Sequence, residues 1–308
     1  MEKSLLKYLK LRITSWLNHT TRTILKKNIK MLVSTEWLNS NLSEVKIFDA
    51  SWHMPNSNRN GHKEYLNKHI PGAMFWDLDE HSDKDSPFPH MLPNSDYWTR
   101  MLWSFGIKND DHIVVYDFSA LHSSCRLWFS LKYFGHQKVS VLNGGMKKWL
   151  KENRPASNEI NKDIGKFSDI DKINTKNKYK VIENLDWIKK KEQIDKNIKT
   201  NLFTLVDARS RERFEGKVKE PRPNLKKGCV PGSKNIPFQD CIDPGTNTFK
   251  RKSELTKIFK ENNIDYLKPN VFMCGSGVTA CVLGLAYFLI TDKNPVIYDG
   301  SYAEWGKK

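Results

Sequence analysis

Apolar and polar positions alternate along the chain in two different periods. Continuous apolar runs predict buried strands, and longer runs with helical spacing predict helices between them. The predicted strands are residues 45–49, 112–117, 139–142 and 269–273, with a turn into a further strand at 69–74; the predicted helices are residues 98–105, 126–134 and 281–290. Strands that alternate with helices indicate a parallel sheet covered on both faces. The chain is therefore predicted to be an α/β protein.

The second half of the chain repeats the plan of the first. Four landmark pairs are separated by 156 to 160 residues: Asp49 and Asp207, Gly72 and Gly232, Asp117 and Cys274, Trp149 and Trp305. So constant a separation predicts a duplicated domain. We expect one copy at residues 31–150, the other at 181–308, and a Lys- and Asn-rich linker without periodicity at 151–180.

One cysteine lies at a glycine-rich turn between a predicted strand and a predicted helix. At the start of a helix the first N–H groups lack partners and the dipole favours negative charge, so the thiolate of Cys274 is favoured there. The alternative is an inert, buried cysteine. Gly275-Ser276-Gly277 directly after the cysteine argues against it, because this run costs backbone entropy unless the loop curls around something.

The same turn is predicted to form an anion cradle around the sulfur. Successive N–H groups can turn inward where glycine relieves the backbone. The residues assigned to the cradle are Gly275, Gly277, Val278 and Thr279.

The run CGSGVTA, residues 274–280, resembles the active-site loop of 3-mercaptopyruvate sulfurtransferases in the two-domain rhodanese superfamily. The resemblance implies two tandem rhodanese-like domains, each a parallel sheet flanked by helices. It also implies that Cys274 takes sulfur from 3-mercaptopyruvate as a persulfide and releases pyruvate. The acceptor would be thioredoxin, a small thiol or cyanide, and no cofactor or metal would be needed. The first domain, with Asp117 at the matching position, would be non-catalytic.

Two other activities fit the same fold. Thiosulfate sulfurtransferases carry cationic or bulkier residues where this chain has Gly275 and Ser276, so the resemblance favours mercaptopyruvate and keeps thiosulfate as the alternative. A non-catalytic sulfur carrier or scaffold is the alternative from another class. A cysteine phosphatase is excluded, because Ala280 stands where that class needs an arginine to hold phosphate.

Two arginines are candidates for binding the substrate carboxylate. A guanidinium donates two parallel hydrogen bonds and keeps its charge at any working pH. By the resemblance these are Arg213 and Arg222, with ion pairs to nearby glutamates such as Glu220 as the alternative. Arg209 is expected to brace the loop beside Asp207.

A proton donor is expected near the nucleophile. Ser276 can turn its hydroxyl into the cradle, and the resemblance pairs it with a histidine of the first domain, for which His69 is the candidate. A structural role for His69 in its turn is the alternative. The supporting acid expected for this histidine matches Asn60, and a second histidine of the family pattern is Cys229 here, so the relay is open at this point.

Composition limits the remaining options. Five scattered cysteines without a CxxC pair argue for a reducing compartment and against a disulfide framework or zinc site. The net charge of +16 is dispersed among acidic residues, which indicates a solvated surface and no nucleic-acid partner. No apolar run reaches the length of a membrane span, so no membrane association is expected.

The first 30 residues differ from the rest. They hold eight Lys/Arg and one acidic residue, a net charge of +7, with leucines at helical spacing. This composition predicts a mitochondrial presequence, with a basic surface helix as the alternative. Met31 is a second potential start, so a cytoplasmic form is also expected.

Overall fold

The computed structural model describes residues 30–160 and 179–308. The predicted presequence therefore lies outside the described residues except for Lys30, and so does most of the predicted linker. Within the described ranges the chain forms two five-stranded parallel sheets, each flanked by helices. The predicted α/β class and the two rhodanese-like domains are confirmed.

The first domain contains five strands and five helices among the residues described. Its strands are β1 (Leu32–Val33), β2 (Lys46–Asp49), β3 (Ala73–Phe75), β4 (Ile113–Tyr116) and β5 (Val139–Leu142). Its helices are α1 (Thr35–Asn39), α2 (Gly61–Asn67), α3 (Ser95–Ser104), α4 (Ser124–Tyr133) and α5 (Gly145–Lys151).

The second domain repeats this inventory over residues 188–305. Its strands are β6 (Ile188–Lys189), β7 (Thr204–Asp207), β8 (Lys234–Asn235), β9 (Asn270–Met273) and β10 (Val296–Tyr298). Its helices are α6 (Lys191–Thr200), α7 (Arg211–Phe214), α8 (Lys252–Glu261), α9 (Ala280–Thr291) and α10 (Ser301–Trp305).

The two sheets have the same strand order. The first runs β1-β5-β4-β2-β3 and the second β6-β10-β9-β7-β8, with every pair parallel. The register also agrees, since Ile47 pairs with Val114 in one sheet and Leu205 with Val271 in the other. The central strands β4 and β9 are buried along their whole length. Their carboxyl ends lead directly into Asp117 and Cys274 respectively.

Helix α3 begins earlier than the apolar pattern predicts. The pattern places its start at Trp98, but the helix starts at Ser95 because the Asn94 side chain accepts a hydrogen bond from the Tyr97 N–H at 2.8 Å. This cap satisfies one of the donors that a helix leaves free at its start, so the polar first turn becomes helical.

The two domains share one hydrophobic core. Helix α9 is apolar on all sides because it packs on its own sheet and also on α4 of the first domain. Across this contact, Trp128 and Phe288 meet edge to face with ring centroids 6.3 Å apart. Because α9 begins where the Cys274 loop ends, the loop faces the first domain. No helix in the described ranges is long and apolar enough to cross a membrane.

Candidate active site

Ser301 pins the loop between β9 and α9. Its Oγ accepts hydrogen bonds from the N–H groups of Cys274 and Gly277, both at 3.1 Å, and donates to the Tyr298 carbonyl oxygen at 2.9 Å. Gly277 has φ +79°, and a Cβ there would lie 3.1 Å from the Asp299 carbonyl oxygen. Only glycine fits this position without strain.

Five N–H groups of this loop have no hydrogen-bond acceptor in the described parts of the chain; they belong to Gly275, Ser276, Val278, Thr279 and Ala280. These donors are available to an anion at the start of α9. The expectation for Gly277 needs correction, because its N–H is bound by Ser301 and its contribution to the loop is its backbone conformation. Cys274 itself is 2% exposed.

Arg213 and Arg222 converge on the cysteine loop. A Cβ at Gly275 would lie 3.1 Å from Arg213 Nη2 and 3.6 Å from Arg222 Nη1. Arg222 Nη2 also donates to Ser276 Oγ at 3.3 Å. The structure therefore brings both predicted arginines to the residue after the nucleophile, and the absence of a side chain at Gly275 lets them approach.

The two arginines differ in their carboxylate partners. Arg213 donates to both oxygens of Glu220, from Nη2 at 2.5 Å and from Nε at 3.2 Å. Burial lowers the pKa of Arg222, which forms no ion pair with a carboxylate within the described ranges. The ion-pair alternative thus applies to Arg213, whereas Arg222 keeps its charge available for a ligand.

Arg209 braces the neighbouring loop, as expected. Its guanidinium lies 3.6 Å over the Tyr302 ring, and its Nη2 donates to Asp207 Oδ2 at 2.6 Å. Its Nη1 donates to Glu220 at 2.7 Å, so Glu220 links Arg209 to Arg213. This fully buried group therefore orients Arg213 indirectly.

The histidine that contacts Ser276 is His90. Its Nδ1 lies 2.9 Å from Ser276 Oγ and its Nε2 lies 3.1 Å from Asp79 Oδ1. A carboxylate can only accept, so Nε2 carries the proton and Nδ1 accepts the Ser276 hydroxyl. The second oxygen of Asp79 accepts from Trp52 Nε1 at 2.8 Å. The result is a chain of contacts from Asp79 through His90 and Ser276 to Arg222.

His69 does not take part in this chain, which corrects the pairing expected from the sequence. It is fully buried, with Nδ1 2.7 Å from the Tyr65 carbonyl oxygen and Nε2 3.2 Å from that of Glu159. Its ring also stacks on Tyr65 at 4.2 Å. The expected supporting residue Asn60 caps α2 by accepting from the Lys63 N–H. Both residues stabilise local structure.

Sequence reasoning missed His90 because it lies in an irregular segment, residues 76–94, between β3 and α3. No hydrophobic period marks such a segment. Its length was the available signal, since long loops without secondary structure in compact domains are commonly functional. His90 has φ +64°, a conformation that non-glycine residues adopt mainly where the surroundings impose it.

Electrostatics keep this histidine neutral. Burial lowers the pKa of His90, and the Asp79 carboxylate opposes that effect. The hydrogen bond from His90 lowers the pKa of Asp79, which keeps the carboxylate ionised. Neutral His90 can therefore accept a proton from Ser276 while Asp79 stabilises the imidazolium that forms.

The remaining cysteines are not equivalent to Cys274. Burial raises the pKa of Cys241 and Cys281 to about 12, and it also raises the pKa of Cys125 and Cys229. None of them follows a central strand. No group of three potential metal ligands occurs within the described ranges.

The matching loop of the first domain holds an internal anion. Asp117 Oδ1 accepts from the Ser119 N–H at 2.9 Å, and Oδ2 accepts from the Ser124 N–H at 3.0 Å at the start of α4. The carboxylate thus binds the N–H groups that a ligand would need. This geometry fits a domain without its own reaction.

Comparisons with known proteins agree with this architecture. The Rhodanese-like domain family matches residues 34–152 and 190–308. A 3-mercaptopyruvate sulfurtransferase from Mus musculus is 38% identical over 289 residues, covering 90% of this chain and 92% of the relative. Thiosulfate/3-mercaptopyruvate sulfurtransferase 1, mitochondrial, from Arabidopsis thaliana is 38% identical, covering 89% of this chain and 75% of the relative.

A solved structure gives the same result. The crystal structure of SseA from Escherichia coli, a 3-mercaptopyruvate sulfotransferase, has a TM-score of 0.76 and 32% identity and covers 89% of this chain and 100% of that chain. Two domain matches and two extensive relatives are sufficient for assignment. The chain belongs to the rhodanese family and is an enzyme of its sulfurtransferase group.

Proposed function

We propose that this enzyme takes the sulfur of 3-mercaptopyruvate onto Cys274 as a persulfide, releases pyruvate and passes the sulfur to a thiol. The observation that carries the proposal is the position of Ser276 Oγ, which lies 2.9 Å from His90 Nδ1 and 3.3 Å from Arg222 Nη2. Ser276 is two residues beyond the nucleophile. The site thus joins a proton acceptor, a hydroxyl and a cation beside one sulfur.

In the first step the Cys274 thiolate attacks the sulfur of the substrate and the bond from that sulfur to carbon breaks. The substrate's thiol proton passes to Ser276 Oγ while the Ser276 hydroxyl proton moves to His90 Nδ1. The reverse transfer delivers a proton to the methylene carbon. The products are pyruvate and a persulfide anion, and Asp79 stabilises the transient imidazolium.

The arginines would bind the carboxylate of the substrate. Arg222 has no carboxylate partner within residues 30–160 and 179–308, so it can pair with the substrate. Arg213 is held by Glu220 and 23% exposed, which leaves part of its guanidinium accessible. The Cys274 side chain is almost covered, so the donor approaches it past these two groups.

In the second step a thiolate attacks the outer sulfur of the persulfide, and the Cys274 thiolate leaves. Thioredoxin or a small thiol would serve, since each presents a nucleophilic sulfur. Cyanide would attack in the same way. The basic first 30 residues support a mitochondrial location, and a start at Met31 would give a cytoplasmic form.

Thiosulfate is the second candidate donor. It is favoured by one observation, that a relative named for both donors is as similar as one named for mercaptopyruvate alone. The loop argues the other way. Gly275 leaves room for two guanidinium groups and adds no charge of its own, and Ser276 supplies a hydroxyl for proton transfer, which a carbon leaving group needs and a sulfite leaving group does not.

Steady-state kinetics with both donors and one acceptor tests the proposal. We expect kcat/KM to be higher for 3-mercaptopyruvate than for thiosulfate, with pyruvate formed in equal amount to the sulfur transferred. A higher value for thiosulfate would assign the enzyme to the other donor. No sulfur gain on Cys274 with either donor would indicate a scaffold.

A further inference from the structure

Asp299 holds the segment that carries His90, although it belongs to the other domain. Its Oδ2 accepts from the Leu92 N–H at 2.8 Å, and its Oδ1 accepts from Arg126 Nη2 at 2.7 Å. The same Arg126 nitrogen donates to the His90 carbonyl oxygen at 2.6 Å. Arg126 is 1% and Asp299 3% exposed, so the three contacts form a closed, dry clamp around residues 90–92.

The clamp lies on the turn that also pins the cysteine loop. Asp299 directly follows β10, and two residues later Ser301 binds the N–H groups of Cys274 and Gly277. Arg126 extends from α4 to the same loop, where its Nη1 would lie 3.2 Å from a Cβ at Gly277. One rigid turn therefore fixes both the nucleophile loop and the backbone at His90.

Stability alone does not account for this arrangement. A buried ion pair loses the hydration of two charges, and well-packed apolar residues are often as stabilising. Arg126 Nη1 also lacks a hydrogen-bond partner, a further cost of burying the group. In addition, His90 has φ +64°, which costs energy and persists only where contacts impose it. The contacts that impose it are those of the clamp.

We infer that Asp299 and Arg126 are positioning residues that hold His90 in line with Ser276. They touch neither the reacting sulfur nor the Ser276 hydroxyl, and they act on the backbone that bears the imidazole. The inference deepens the proposed function, since it rests on His90 accepting the proton of Ser276. It also makes the second domain dependent on α4 of the first for its proton transfer.

The test uses the full chain with Asp299→Asn and, as a milder change that keeps the positive charge, Arg126→Lys. We expect kcat for 3-mercaptopyruvate to fall on the order of ten- to a hundredfold with KM unchanged, because a misplaced catalytic group slows the chemical step. The matched control is Trp128→Phe, which alters the same helix and interface without touching residues 90–92. It should retain kcat.

A His90→Ala background decides between positioning and general loosening. If the clamp acts through His90, Asp299→Asn should cause no further loss of kcat in that background. An equal loss with and without His90 would overturn the inference, and so would unchanged kcat for both clamp variants. If His90→Ala by itself retained kcat, the proton role in the proposed function would fail instead.

Discussion

His90 Nδ1 and Ser276 Oγ lie 2.9 Å apart although 186 residues separate them in the sequence. One group comes from an irregular loop of the first domain and the other from the nucleophile loop of the second. Sulfur transfer therefore depends on the domain interface, since neither domain holds a complete set of proton-transfer groups. This dependence explains why the non-catalytic copy remains part of the enzyme.

Replacing Cys274 with serine should abolish sulfur transfer, because a hydroxyl cannot form a persulfide. After brief exposure to 3-mercaptopyruvate, the unmodified enzyme should gain the mass of one sulfur atom, and the variant should not. Intact-mass spectrometry measures this directly. The control is Cys229→Ser, a half-buried cysteine outside the loop, which should still gain sulfur; loss of the gain there would show that Cys274 is not the acceptor.

Replacing Arg222 with alanine should weaken binding of the substrate carboxylate. The loss of charge-assisted hydrogen bonds is worth about 1.5 to 3 kcal/mol, which corresponds to a rise in KM of roughly ten- to a hundredfold. Arg211→Ala is the control, since that exposed arginine pairs with Asp240 away from the loop. An unchanged KM for Arg222→Ala would rule out carboxylate binding by this residue.

The pH dependence of kcat should report the ionisation of His90. The residue must be neutral to accept a proton, and burial lowers its pKa, so kcat should decrease only as the pH falls below the ordinary histidine range. The groups that face His90 are Asp79, which raises its pKa, and Arg222 and Arg126, which lower it.

Asp79→Asn should then reduce kcat, because the imidazolium loses its anionic partner. The acid limb of the profile should also move to lower pH, because the removed carboxylate raises the pKa of His90. Glu80→Gln provides the control, since this exposed neighbour pairs with Lys84 and leaves His90 untouched. A limb that stays in place in the Asp79 variant would contradict the assignment of the titrating group.

Stability should depend on Asp49. Burial without a cation raises the pKa of this carboxyl to about 7 from 3.8. Since the folded value is the higher one, the stabilisation is present below the unfolded value and is lost as the pH rises through about 7. The difference amounts to roughly 4 kcal/mol.

Denaturation at several pH values should therefore show Asp49→Asn gaining stability over the unmodified protein between pH 4 and pH 8. Asp85→Asn, an exposed change of the same kind, should show no such trend. Parallel stability curves for Asp49→Asn and the unmodified protein would mean that Asp49 is ionised in the fold.

The sequence predicted the fold and half of the site, and the reason is local. The β9 strand, the glycine turn and the α9 helix are consecutive, so Cys274, Ser276 and the start of the helix could be placed from spacing alone. Arg213 and Arg222 also lie in one short segment.

His90 could not be placed in the same way, because its approach to Ser276 is set by packing between domains. The histidine before a Pro-Gly turn was the more regular candidate, yet His69 lies against backbone carbonyls. Similarly, the constant separation of Asp49 and Asp207 was correct as topology but did not reveal that only Asp207 has an arginine two residues later. Side-chain partners across a fold are decided by contacts that spacing does not encode.

The difference between Asp117 and Cys274 has a consequence for the working cycle. The first copy is born with its counter-ion attached, so its loop is complete in every state. The second copy carries five idle donors at rest, and the extra sulfur brings the negative charge that can engage them. Cargo and scaffold are then one object: the loaded enzyme should melt at a higher temperature than the empty one, and each turnover would end by surrendering part of its own rigidity.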